Sequence, residues 1–515
     1  MRKSMVVFVV LLAAGIGGMC FAHSTLSAAQ DNVSFAEVEA FGDVSAADGL
    51  TVSVRTHLDY HLFWDTAHTF EQTPMTHTNF SFHPSQLYRA PEFASPPLSL
   101  SIPLDFNAST SGGNLLGVGE GSAAINQTEF TVIYDMLRDV AVRTQNGEQR
   151  TETLYIRDYF GYYPISVYID AEQYYYVKQD EAEANEAFSN FFRFPVPEGR
   201  TLTVTIRKDG AGNVVEIGTG RVILGYTYGS SATSGSSAAS GSGSSVVSGS
   251  GSSVVSDEDI VSIYAIGVET EKGIYFAIVS EGITDFTGIP GGFGIFLLPT
   301  STIIGEPDAE YHPTLDCRNI QTAYPLGDST TIHSLTLSED GSCLNLITYE
   351  DGGCFLTVIE LETMVEKQKM PLFEDMRDTF LYTANFVGEL LYAALSDNRF
   401  MLAERGAGNT YRPVLTGARD YLLSFEDYID WNDPQIAWNG ERLALVSRYR
   451  RSLAVSADDF RYASVEACGF TLEIYDDSGL SYKGAFESSL DVLDISDMAY
   501  DICRPTDTDG LSARW

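Results

Sequence analysis

Between Thr51 and Asp65, Val52, Val54, Leu58, Tyr60, Leu62 and Trp64 fall on even positions, and Arg55, His57, Asp59, His61 and Asp65 fall on odd ones. A period of two is the mark of a strand with one buried and one wet face, so the pattern predicts a strand over 50–64. Further strands are expected at 130–134, 154–157, 165–169, 202–206 and 214–228. One stretch changes to the helical period. Ala184, Phe188, Phe191 and Phe192 form a single apolar stripe, with Asp180 placed to cap the helix and Glu183 to complete a capping box. That helix is expected to pack on the β-structure, its aromatics serving the core.

The second half repeats itself. Gly341, Gly388 and Gly440 each sit in a turn between two apolar stretches, at spacings of 47 and 52 residues. Around Gly341 the grammar is fullest: strands at 332–337, 343–349, 355–361 and 366–372, with Asp351, Gly352 and Gly353 turning the middle pair. Around Gly440 the counterparts are 435–438, 442–447, 470–475 and 480–486, and a weaker copy surrounds Gly273. Four strands every ~40 to 50 residues is the period of propeller blades. On these repeats the sequence resembles the β-propeller superfamily of exported bacterial proteins and, more distantly, WD-type repeats, without their Trp-Asp signature. The resemblance implies an all-β fold, a β-propeller of about seven four-stranded blades with one inserted helix and a disordered Ser/Gly loop. It implies no activity. A β-sandwich is the competing arrangement of such short strands.

The loop is residues 229–256, almost pure Ser and Gly, in which the octapeptide Gly-Ser-Gly-Ser-Ser-Val-Val-Ser occurs at 241–248 and again at 249–256. Such a segment reaches about 30 Å and buries nothing. The expected organisation is a signal peptide or N-terminal anchor at 1–22, a first part of the propeller at 36–228, the linker, and a second part at 257–515. Two domains on a tether are the alternative.

Arg2 and Lys3 precede an uncharged apolar run from Met5 to Ala22, the layout of an export signal, and no later run reaches the ~18 apolar residues of a spanning helix. The expectation is a secreted or surface-attached chain that meets membrane only through its N-terminal segment. The net charge is −39, with −14 in 31–228 and −27 in 257–515, so the acidity is spread along the chain. A polyanion such as nucleic acid would be repelled. Beyond Cys20 there are five cysteines, Cys317, Cys343, Cys354, Cys468 and Cys503, so at least one has no partner in the chain. If the Gly352 turn joins their strands, Cys343 lies on the order of 20 Å from Cys354, beyond disulfide reach.

Three constellations carry candidate chemistry. His57, Asp59 and His61 share a strand face by parity, with His68, His77 and His83 close behind, a set from which a metal site could be drawn. Asp427, Asp430 and Asp433 cluster with Asn432 as oxygen ligands, without the glycine of a calcium loop. A divalent cation is the one cofactor these groups suggest. Tyr159, Tyr162, Tyr163, Tyr174, Tyr175 and Tyr176 lie in the most aromatic stretch, where exposed rings could stack on sugars or anchor a partner. Nucleophile elbows and nucleotide-cradling glycine loops are missing from the sequence. The function expected is partner binding, to a protein or glycan at the cell surface, and the alternative is an exported propeller-type hydrolase or lyase with paired carboxylates in a central pocket.

Overall fold

In the computed structural model, Thr331–Leu337, Cys343–Glu350, Gly353–Glu360 and Val365–Phe373 form one antiparallel meander in which each strand pairs with the next. Four-stranded meanders of this kind are the blades of β-propellers, and the unit expected around Gly341 is present strand for strand. Asp351 and Gly352 have φ of 49° and 81°, the left-handed pair that matches a two-residue hairpin to strand twist. The register sets Cys343 opposite Glu360 and Cys354 opposite Tyr349, at opposite ends of the hairpin. Both thiols are buried, and they are not joined to each other.

The turns share a chemistry. In Asp209, Asp285, Asp340, Asp375, Asp397, Asn439 and Asp476 the side-chain oxygen accepts the backbone N–H two residues on, closing an Asx turn at a hairpin or loop. Part of the acidity read from the sequence is therefore turn machinery.

The structure describes residues 11–21, 24, 33–58, 62–71, 73–83, 97–104, 107–109, 116, 133–170, 176–219, 261–301, 313–419, 428–429, 434–453, 464–489 and 507–515. Residues 11–21 are helical and exposed, and among the described residues no helix is long and apolar enough to cross a membrane. The chain divides into two units by contact, residues 93–377 and residues 1–92 with 378–515.

In the first unit, Gln149–Tyr155, Thr201–Lys208, Val214–Thr219 and Asn107–Ser109 make a four-stranded sheet. Ser262–Thr270, Gly273–Glu281, Gly294–Ser301 and Gln321–Pro325 join Thr314–Leu315 and Tyr176–Val177 in a six-stranded sheet. Segments on both sides of residues 229–256, which lie outside the described residues, share one core. The expected helix is there as Glu181–Phe192 (α2), with Asp180 accepting from the Glu183 N–H and Ala184, Phe188 and Phe192 buried. Phe192 meets Phe276 and Phe296 edge-on at 6.1 and 5.0 Å. A second helix, Tyr134–Arg143 (α1), corrects the expectation of a strand ending at Tyr134. It buries Met136, Leu137, Val140 and Ala141, a helical spacing, but Ile133 at its cap position makes no side-chain hydrogen bond, so the usual start signal is missing.

In the other unit, Leu381–Val387, Leu390–Leu395, Arg399–Arg405 and Tyr411–Ala418 form a blade-type sheet. Gln435–Trp438, Leu443–Leu453, Ser464–Asp476 and Gly479–Ser488 form the next in sequence, and Phe35–Gly42 adds to its outer edge. Glu473, Lys483 and Arg419 are buried together here: Arg419 Nε donates to Glu473 Oε2, Lys483 Nζ lies 3.2 Å from Oε1, and the Tyr475 hydroxyl donates to Oε2 at 2.9 Å. Burial alone would raise the Glu473 pKa, but the two cations outweigh it and leave the carboxyl ionised.

Candidate functional site

The alternation at 51–65 folds into two strands where the sequence suggested one. Thr51–Leu58 pairs antiparallel with Leu62–Thr69, so His57 stands opposite Phe63. Met75–Phe82 follows on one side, and Asp507–Arg514 pairs with Thr51–Leu58 on the other.

Parity then sorts the two faces. Val52, Val54, Thr56, Thr66 and Phe70 are buried, and the alternating Leu511, Ala513 and Trp515 pack on the same core. His68 joins them at 4% exposure, edge-on to Phe70 at 4.8 Å, with Nδ1 2.9 Å from the Thr76 hydroxyl. Burial lowers its pKa, so it stands neutral in an aromatic nest and is a core residue.

The other face is polar and open. Arg55 crosses to Asp65 with Nε 2.6 Å from Oδ1 and Nη2 3.2 Å from Oδ2, a two-pronged pair with side chains 47% and 39% exposed. Around it Ser53, Ala67, Gly510 and Ser512 line an open recess of about 350 Å³. Exposed His77 and Asn79 lie further across the same face, opposite Ala67 and Asp65. A guanidinium carries five donors and a carboxylate about four acceptor sites, and neighbouring hydroxyls add both kinds. The surface can thus hydrogen-bond a polar partner at several points.

The sequence named these strands for their histidines and missed the Arg55–Asp65 pair, because the pairing depends on where the hairpin turns. Ser512 and Gly510 carried no local signal at all, arriving from the far end of the chain.

Most residues of the expected metal constellations lie outside the described residues. Asp59 and His61 lie outside the described residues, and of His57 only the backbone is placed. Asp427, Asp430 and Asp433 also lie outside the described residues. Among the described residues no group of three His, Cys, Asp or Glu side chains could hold a metal ion.

The tyrosines separate too. Tyr163 is 1% exposed and belongs to the core, which leaves it no surface to offer a partner. Tyr162 is 50% exposed beside a bridge to Pro195. Tyr159 is half-buried; burial, and a 3.0 Å bond to Asp139, raise its pKa. Tyr174 and Tyr175 lie outside the described residues, and Tyr176 is placed by its backbone only, pairing with Thr314. Tyr155 and Tyr168, in the same aromatic stretch, are 57% and 66% exposed.

No family model matches the chain, and no curated protein matches it. Among solved structures it is similar to a chain of the mitotic checkpoint complex (11% identity, 42% of this chain and 59% of that one, TM-score 0.19). It is also similar to a protein from Lactobacillus plantarum (9%, 52% and 64%, TM-score 0.22) and to Kluyveromyces lactis Hsv2 (9%, 62% and 85%, TM-score 0.19). The chain thus spans less than two thirds of the first two. At these TM-scores the likenesses assign it no activity and no partner.

Proposed function

We propose that this is an exported β-propeller protein that binds a protein or glycan partner through the open polar face carrying Arg55 and Asp65. The observation behind the reading is that face itself: a sheet anchored by its apolar side presents a recessed, half-exposed ion pair ringed by hydroxyl and amide groups. Single-faced solvation is ordinary for antiparallel sheets. A recess with a fork-geometry pair is not needed for folding, since exposed pairs contribute only ~0.2 to 1 kcal/mol. Export is supported by the basic head and apolar run at the N-terminus.

The test is binding to immobilised envelope glycans and envelope proteins of the producing cell, comparing the unaltered protein with Arg55→Ala and Asp65→Ala. Loss of at least tenfold in affinity with unchanged melting supports the reading. Equal retention by all three proteins on every surface, or no retention by any, overturns it.

A further inference from the structure

The edge strand Thr331–Leu337 carries an unusual concentration of buried polar atoms without hydrogen-bond partners. The register against Cys343–Glu350 shifts between Ile332 and Ser334, so His333 is an extra residue, Ser334 lies opposite Ile347, and Thr336 lies opposite Asn345. His333 Nε2, Ser334 Oγ, Thr336 Oγ1 and Asn345 Oδ1 are all buried and all unbonded. His333 is 6% exposed and Asn345 1% exposed. The His333 ring is fixed by its other nitrogen, 3.3 Å from the Tyr349 hydroxyl, and stands edge-on to that ring at 5.7 Å.

Buried hydroxyls and amide oxygens are destabilising unless something bonds to them, and native interiors satisfy nearly all of theirs with protein or ordered water. Four such atoms on one strand pair are a common demand. Directly opposed positions on a strand pair hold their Cβ atoms about 5 Å apart, so Thr336 Oγ1 and Asn345 Oδ1 are within reach of one small bridging molecule. Ser334, two residues along on the same side, is placed to extend the bridge. Every group in the set is neutral, because burial pushes the His333 pKa down to about 4. An ion would find no opposite charge among them.

We infer that this strand pair is a buried binding site for ordered water, with Thr336 and Asn345 as its central partners and Ser334 and His333 extending it. The waters belong to the native fold of the sheet and hold its inner edge strand to its neighbour at the bulge.

The sign of a shape-conserving substitution tests this. Thr336→Val removes the hydroxyl and keeps the volume. If water is bound, the variant melts lower, by about 2 to 4 °C for a unit of this size, and magnetic relaxation dispersion of the full chain counts at least one fewer long-lived water. Ser334→Ala should change both readouts in the same direction. A rise or no change in melting temperature for both variants, or an unchanged water count, overturns the inference.

Discussion

Arg419 Nε stands 3.1 Å from Glu473 Oε2, with only 5% and 2% of the two side chains exposed. The pair bridges the end of one blade-type sheet and the third strand of the next, amid Tyr392, Phe400, Leu445 and Tyr475. Breaking a buried pair from one side strands the other charge, a loss of about 3 to 5 kcal/mol. Arg419→Met and Glu473→Gln are each expected to lower the urea midpoint steeply. Midpoints that match the parent would show that solvent reaches the pair.

Buried histidines make a pH window. His333 is held neutral at a folded pKa of about 4, and His68 is also lowered, both by burial. The unfolded chain takes up these protons first, near pH 6.5, so stability is full above that value and falls as pH drops toward 4. For His333 the loss amounts to about 3 kcal/mol. Denaturant titrations from pH 7.5 to 4 should show the decline, and His333→Gln should flatten it. A parent protein equally stable at pH 7 and pH 4.5 would contradict the assignment.

Cleavage inside residues 229–256 should leave the pieces together. Phe188 and Phe192 from before that segment pack on Phe276 and Phe296 from after it. Lys178 and Gln179 both bond Asp316. The nicked protein is expected to elute as one particle on gel filtration in native buffer, with two bands appearing only on a denaturing gel. Two separate native peaks would refute the shared core.

Gly469 has no room for a methyl group, since a Cβ there would sit 1.9 Å from the Phe486 carbonyl oxygen. Both residues are in paired strands, so the backbone itself must yield. Gly469→Ala should destabilise by more than the ~1 kcal/mol of an average substitution, whereas Ser478→Ala on an exposed turn should change little. Thermal melts of the two variants decide it, and a Gly469→Ala protein that melts with the parent removes the clash.

What could be read from the sequence was local. The Gly341 unit announced itself through turn residues and apolar runs within forty positions, and α2 through Asp180, Glu183 and a stripe of aromatics. What could not be read was long-range or parity-dependent. Tyr163 and Tyr162 are neighbours, one buried and one exposed, and composition alone cannot tell which. The antiparallel pairing of Thr51–Leu58 with Leu62–Thr69 hid inside an unbroken alternation, because a two-period carries on unchanged when an odd number of residues separates paired positions. Glu473 and Lys483 alternate with the apolar stripes Phe470, Leu472, Ile474 and Tyr482, Phe486, so their parity announced a wet face and gave no hint of the burial both have.

The pairing of Thr51–Leu58 with Asp507–Arg514 has a consequence for how the protein is made. The two strands leave the ribosome about 460 positions apart, so the hairpins at 51–82 are made long before the neighbour that completes their sheet. Contacts this distant are slow to form because the loop must close before any of them stabilises the chain. This unit cannot complete its sheet before Asp507–Arg514 has emerged. The early hairpins, with Val52, Val54 and Phe70 still uncovered, are the segment on which a holding chaperone would act while the remainder arrives.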